Sequence, residues 1–300
     1  MRRLAVDAGL ALPSLPEDHR LRGVITSAIG ASGVDEAPDA ADLWRPSQFS
    51  LQKSKLYESL DETQQRAILA RAARGLLEEA YFIEKSGMAY SAKMTLMAKT
   101  TEERMLYSAF AADEASHLML VRDFLGGDPS GDGGPFLALL AEVIENGDRD
   151  SLVFIIQVVL EGWGLTHYRS IAHSAQNPLL QDALNRVLRD EARHHGSGML
   201  LFDPDALSKK TRAYVVEVLV RFLGMVQAGP MSLVAAVDEV AGMTRTQRRR
   251  FLEEIEGEDH SRSRLRILRG LMIRAGALEI IDALDDHRAF RPWTVEECLC

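Results

Sequence analysis

Cysteine is nearly missing from this chain of 300 residues: the only two, Cys298 and Cys300, stand among its last three positions. That excludes a disulfide framework and fits a reducing compartment. The closing Cys-x-Cys leaves three readings open: a lipidation signal, an electron-accepting pair, or a loosely ordered tail. Long apolar runs are lacking too. The longest, residues 151–165, is interrupted by Gln157 and Glu161 and is too short to span a bilayer. The start Met1-Arg2-Arg3 is basic, but Asp7 breaks the apolar stretch and Pro13 and Pro16 follow. No cleaved signal is therefore expected, and the cytoplasm is the expected compartment. Positive charge is in deficit, with 35 Lys and Arg against 44 Asp and Glu and a net charge of −9. That balance argues against a nucleic-acid partner. The basic stretch Arg245-Thr246-Gln247-Arg248-Arg249-Arg250 runs straight into Glu253, Glu254, Glu256, Glu258 and Asp259, which reads as a solvated helix with a charge gradient. No glycine-rich phosphate loop and no Ser-His-Asp arrangement stands out.

What the chain does contain is a doubled acidic motif. Asp113-Glu114-Ala115-Ser116-His117 and Asp190-Glu191-Ala192-Arg193-His194 both read Asp-Glu-x-x-His. Glu84 precedes Glu114 by 30 residues, and Glu161 precedes Glu191 by the same interval. On a helix, Glu and His three apart project about 60° apart and roughly 4.5 Å along the axis, so both can grip one ion. A single Glu-x-x-His match arises by chance about 0.6 times in a chain of this composition. Two matches, each with a glutamate at an identical offset, point to a two-metal site in a helical bundle.

Turn signals fall midway in each pair. Thr100 or Thr101, followed by Glu102 and Glu103, is a helix start between Glu84 and Glu114. Between Glu161 and Glu191, Ser174-Ala175-Gln176-Asn177-Pro178 supplies a breaker with proline in the next first turn. Each hairpin thus brings its two ligand positions to one height. Glu84 lies in a stripe of small and apolar residues from Ile68 to Thr95; Glu78 and Glu79 are its rivals, and the symmetric spacing favours Glu84.

The expected organisation is all-α, in three stretches. Residues 1–55, rich in Pro, Gly, Ser and Asp, form an irregular arm. Residues 56–203 form a four-helix bundle, and residues 204–300 add helices at about 206–227, 231–241, 245–257 and 261–285, packed on the bundle in the same domain. Helix two runs over about 101–125 and stops at Gly126-Gly127-Asp128-Pro129; helix three starts near Asp150. Parallel second and third helices demand a crossover of roughly 35 Å. Residues 126–149, with an amphipathic segment from Phe136 to Ile144, can reach that far.

Glu, Glu-x-x-His, Glu and Glu-x-x-His on four successive helices resemble the ferritin-like di-iron carboxylate superfamily. It includes rubrerythrins, ribonucleotide reductase small subunits, aldehyde-deformylating oxygenases and bacterial multicomponent monooxygenases. The resemblance covers about residues 60–200, and Asp190 to His194 is nearest the monooxygenase variant. It implies a long middle crossover and two iron ions, with manganese an alternative at either position. By the same resemblance Glu114 and Glu191 bridge the ions, Glu84 and His117 hold one, and Glu161 and His194 hold the other. Asp113 and Asp190 are expected to accept from the second ring nitrogen of His194 and His117, respectively, or else to face solvent. Arg193 is expected to pair with one of these aspartates.

Gly87 and Gly164 each follow an isolated glutamate by three residues, and Gly162 adds a third glycine, although each costs nearly 1 kcal/mol in a helix. Two readings remain: an open volume for dioxygen and substrate, or close helix packing. Gln157 and Tyr168 share the face of Glu161 and are candidates to contact substrate. His195 points about 100° from His194 and is read as an outer or core group, and His167 receives no role. The function implied is an O2-dependent di-iron oxidase or oxygenase acting on a small organic substrate and served by an external electron donor. The alternative is a ferroxidase without organic substrate, which the long C-terminal extension fits poorly. Val121, where the family's radical tyrosine would stand, disfavours a radical-generating subunit. A homodimer is left open.

Overall fold

The computed structural model describes residues 7–16, 18–30, 33–129 and 133–299. The expected signal-free start at residues 1–6, and Cys300, lie outside the described residues. In chain order the elements are α1 (Arg20–Ile29), α2 (Lys55–Ser59), α3 (Glu62–Met97), α4 (Thr101–Leu125), α5 (Gly134–Asn146) and α6 (Arg149–Leu152). A π-helix (Val153–Glu161) leads into α7 (Gly162–Ser174) and α8 (Pro178–Leu201). Then come α9 (Lys209–Gln227), α10 (Met231–Ala241), α11 (Arg245–Glu254), α12 (Gly257–Arg274), α13 (Leu278–Asp286) and α14 (Val295–Cys298). The described residues are all-helical, with no β-strand and one isolated bridge, Trp44 to Ala175. No single helix among them is long and apolar enough to cross a membrane.

Two compact units divide the chain, one of residues 1–38 and 76–152, the other of residues 39–75 and 153–300. In the first, α4 starts where the sequence places it. The Thr100 side chain accepts from the Glu103 amide at 3.1 Å, and Glu103 in turn accepts from the Lys99 amide at 2.9 Å. It stops at Gly126, whose left-handed φ of 73° suits a residue without a Cβ. Tyr90, Met94, Tyr107, Phe110, Leu137, Val143 and Ile144 fill this core. Lys93, itself buried, closes the C-terminal end of α5. Its ammonium donates to the carbonyls of Ile144 at 2.5 Å, Gly147 at 2.9 Å and Glu145 at 3.1 Å. A cation belongs at that end, where the last carbonyls lack helical partners.

The second unit carries residues 39–53 as three short 3-10 turns, tied to the corner between α7 and α8. The buried Trp44 indole donates to the Ile171 carbonyl at 2.8 Å, and the Gln176 amide donates to the Leu43 carbonyl at 2.8 Å. At that corner Asn177 caps α8 by accepting from the Leu180 amide, with Pro178 in the first turn. Leu51, Tyr57, Ile68, Val237, Phe251 and Leu252 form a further core cluster. The helix expected over 261–285 is two helices. Gly276, at φ 74°, turns the chain between α12 and α13. The basic stretch of α11 is paired as its charge gradient suggests, Arg248 with Asp238, Arg249 with Glu253 and Arg250 with Glu254. Cys298 is half-buried. Burial first, then Glu297 and Glu258, pushes its thiol above the ordinary range, which disfavours the reactive thiolate.

Two outcomes follow for stability. Lys93→Met keeps the stem but removes the donors, and should lower unfolding stability by about 2 kcal/mol; an unshifted denaturation midpoint would refute the capping role. On α7, burial and then the Arg264 charge depress His167 to about 4 from an ordinary 6.5. A folded value below the unfolded one means that acid favours the unfolded chain, so stability should fall as pH drops from about 6.5 to about 4. Comparing wild type with His167→Gln isolates the effect: the variant's midpoint should be less pH-dependent across that window, and an equal slope would sink the assignment.

Candidate metal centre

Within the first unit, α3 presents Glu84 and α4 presents Glu114 and His117, each nearly or wholly shut off from solvent at 1 %, 5 % and 0 % exposure. His117 Nδ1 lies 3.2 Å from Glu84 Oε2 and 3.9 Å from Glu114 Oε2. Of the rivals, Glu79 is exposed and Glu78 half-buried, whereas Glu84 is enclosed. Glu114 and His117 meet because three residues are close to one helical turn, and Glu84 joins them from α3.

The glycine at 87 has a specific reason. A Cβ there would stand 2.5 Å from Glu114 Oε2 and 2.6 Å from Glu114 Cδ. The space expected for dioxygen and substrate beside Gly87 is therefore taken by the Glu114 carboxylate, and the glycine is what lets that carboxylate lie against α3. Gly164 differs, since nothing lies within 4 Å of a Cβ built on it.

Within the second unit, α8 presents Glu191 and His194, at 6 % and 0 % exposure, with His194 Nδ1 3.8 Å from Glu191 Oε1. Glu161 is half-buried and ends the π-helix. No periodicity in the sequence marks that winding. The apolar residues Val153, Phe154, Ile155, Ile156, Val158 and Val159 are all buried, so the run has no polar face from which a period could be read. π-turns inside longer helices are rare and gather at functional sites.

The π-helix also corrects the role of Gln157. Rather than lining a substrate space, its fully buried side chain donates to the His194 carbonyl and to Ser197 Oγ, each at 3.1 Å. Tyr168 is buried on α7, its ring centroid 6.0 Å from that of His167. Asp113 and Asp190 are both half-buried, and Arg193 pairs with Asp190 at 2.7 Å from an exposed position. His195, directly after a candidate ligand, turns its Nδ1 to the Gln157 carbonyl at 2.9 Å.

Ligand atoms of Glu84, Glu114 and His117 lie within 4.8 Å of one another in the first unit, as do those of Glu161 and His194 in the second. The three members of the first set are buried, as is His194 of the second. Carboxylates and imidazoles without thiolate suit iron, manganese or zinc by donor type, and gathered acids in a dry interior need cations to offset their charge. The class that fold and site define is an all-helical protein with a buried carboxylate and imidazole cluster able to bind metal. No protein-family model, no curated protein and no solved structure matches the chain.

The two glycines give a contrast that can be measured. Gly87→Ala should displace the Glu114 carboxylate and weaken Fe(II) or Co(II) binding by about 10-fold. Its stability should change little, because the displaced atoms end a flexible side chain and alanine favours a helix by about 1 kcal/mol. Gly164→Ala meets open space and should gain that stability with metal binding intact. Equal metal affinities in the two variants would remove the assigned role of Gly87.

Proposed function

We propose that this chain is a ferritin-like di-metal oxidase or oxygenase, with iron as the metal and manganese as the alternative. Glu84, Glu114 and His117 would hold one ion and Glu161, Glu191 and His194 the other, with Glu114 and Glu191 the carboxylates that could be shared. The observation that carries this reading is that each unit gathers a glutamate and an imidazole from the doubled motif, Glu84 beside Glu114 and His117 in one and Glu161 beside His194 in the other. A carboxylate has two oxygens, so either glutamate of the Glu-x-x-His pairs could serve two ions. Bound there, a redox-active metal pair supplies the electrons for reaction with O2, and an external donor must restore them.

The chain's own residues set the conditions around that chemistry. Glu84, Glu114 and Glu191 bring compensating negative charge into an interior from which water is excluded. Neutral imidazole at His117 and His194 adds donors without adding charge. The unfilled space at Gly164, one turn beyond Glu161, is the approach this reading assigns to a small organic substrate. Hydroxylation, N-oxygenation, desaturation and carbon–carbon cleavage all share these ligands.

Metal analysis after reconstitution with Fe(II) is the decisive experiment. About two ions per chain are expected in the wild type, and the double variant Glu114→Ala with Glu191→Ala should bind almost none; undiminished content would refute the site. Titration with Fe(II) under air then separates the classes. Saturation near two irons is the oxygenase outcome, whereas continued uptake into the hundreds per oligomer would replace it with iron storage.

A further inference from the structure

Two neighbouring side chains reach across in opposite directions between the π-helix and α8. The Gln157 amide donates to the main-chain carbonyl of His194 at 3.1 Å, while the His195 ring meets the main-chain carbonyl of Gln157 at 2.9 Å. A carbonyl can only accept, so His195 carries its proton on Nδ1. Ser197 joins the pair, accepting from Gln157 at 3.1 Å and donating to the same His194 carbonyl at 2.8 Å.

Two glycines let these groups close. A Cβ on Gly198 would stand 2.5 Å from Gln157 Cβ and 3.2 Å from its carbonyl carbon, so the two backbones approach where only glycine fits. A Cβ on Gly162 would stand 2.7 Å from His195 Cε1 and 2.9 Å from its Nδ1. The spacings match the two windings. Gln157 and Gly162 are five apart, one π-turn, whereas in an α-helix five residues would separate them by about 140° around the axis. His195 and Gly198 are three apart, close to one α-turn. Side chain and notch therefore alternate: each helix offers one residue that reaches and one that yields.

We propose that Gln157 and His195 are positioning residues, a reciprocal clasp that holds the π winding and thereby aims Glu161 and His194. The inference rests on the metal reading given above, and it assigns to π-wound residues 153–161 a fixed rather than a strained resting state. Glu161 lies one residue before the Gly162 notch, and His194 supplies the carbonyl that Gln157 holds. Loss of either tie should let the segment rewind toward α, which would turn Glu161 about its axis relative to the residues before it.

The test uses the full-length chain with Co(II), whose visible absorption reports coordination geometry, together with amide hydrogen exchange on the metal-free protein. His195→Leu and Gln157→Met keep apolar bulk and remove the donors. Each should weaken one of the two Co(II) ions by about 10- to 100-fold, alter its spectrum, and speed exchange across 153–163. His195→Asn places an amide nitrogen roughly where the imidazole Nδ1 stood, and should restore affinity, spectrum and protection together. A purely structural histidine would show equal losses in the leucine and asparagine variants, and that result overturns the proposal. So does wild-type affinity and exchange in His195→Leu and Gln157→Met. A wild type that takes up no Co(II) defeats the metal reading instead, and the clasp then stands or falls on exchange alone: faster in leucine and recovered in asparagine, or not.

Discussion

Charge kept away from water is the constraint on which the rest depends. Glu84, Glu114 and Glu191 are almost completely enclosed, and His117 and His194 entirely so. Enclosing an ionised carboxylate without a partner is far more unfavourable than any single packing contact can offset. A histidine beside each pair softens the cost only if it becomes charged. The close approach of His117 to Glu84 and Glu114 has the form of an ion pair, yet a neutral imidazole between two acids is equally the form of a ligand set waiting for a cation. Helical elements serve this cluster because one turn separates Glu from His, so rigid backbone rather than loop fixes the donors.

The π-helix is the second unusual feature, and it ends at Glu161. Its hydrogen-bond geometry is poorer than that of an α-helix, so nine residues in that form need support from outside. Two sources are visible. One is burial of a nearly unbroken apolar face from Val153 to Val159, with branched side chains well suited to dense packing. The other is polar and directional, through Gln157, His195 and Ser197 on main-chain carbonyls. Apolar burial stabilises either winding about equally. Hydrogen bonds to named carbonyls do not, and so they are what selects between the two.

Much of the site was legible because its logic is periodic. Glu114 with His117, and Glu191 with His194, follow from a three-residue spacing, and the turn at Asn177-Pro178 follows from capping chemistry. Glu84 could be separated from Glu79 only by burial, although the equal 30-residue offsets favoured it. Three things were not legible, each for the same reason. The filled space at Gly87, the inward turn of Gln157 and the π winding all depend on what lies opposite, and one-dimensional spacing carries no record of the opposing surface. A glycine three residues after a glutamate looks the same whether a carboxylate or empty space faces it, as Gly87 and Gly164 demonstrate. The break at Gly276 was missed differently: a lone glycine inside a helical pattern is tolerated often enough that its left-handed φ gives no advance notice.

Charge arithmetic narrows what the proposed centre can hold. Glu84, Glu114, Glu161 and Glu191 sum to −4 when ionised, and neutral His117 and His194 add nothing. Two divalent cations cancel that sum; one leaves an excess that a dry interior penalises, and a lone monovalent ion leaves still more. Arg193 is 58 % exposed on its side chain and pairs with Asp190. Lys93, the buried ammonium of the first unit, is committed to three carbonyls at the end of α5. On the proposed reading, a pair of divalent ions is the smallest addition that would neutralise these four carboxylates.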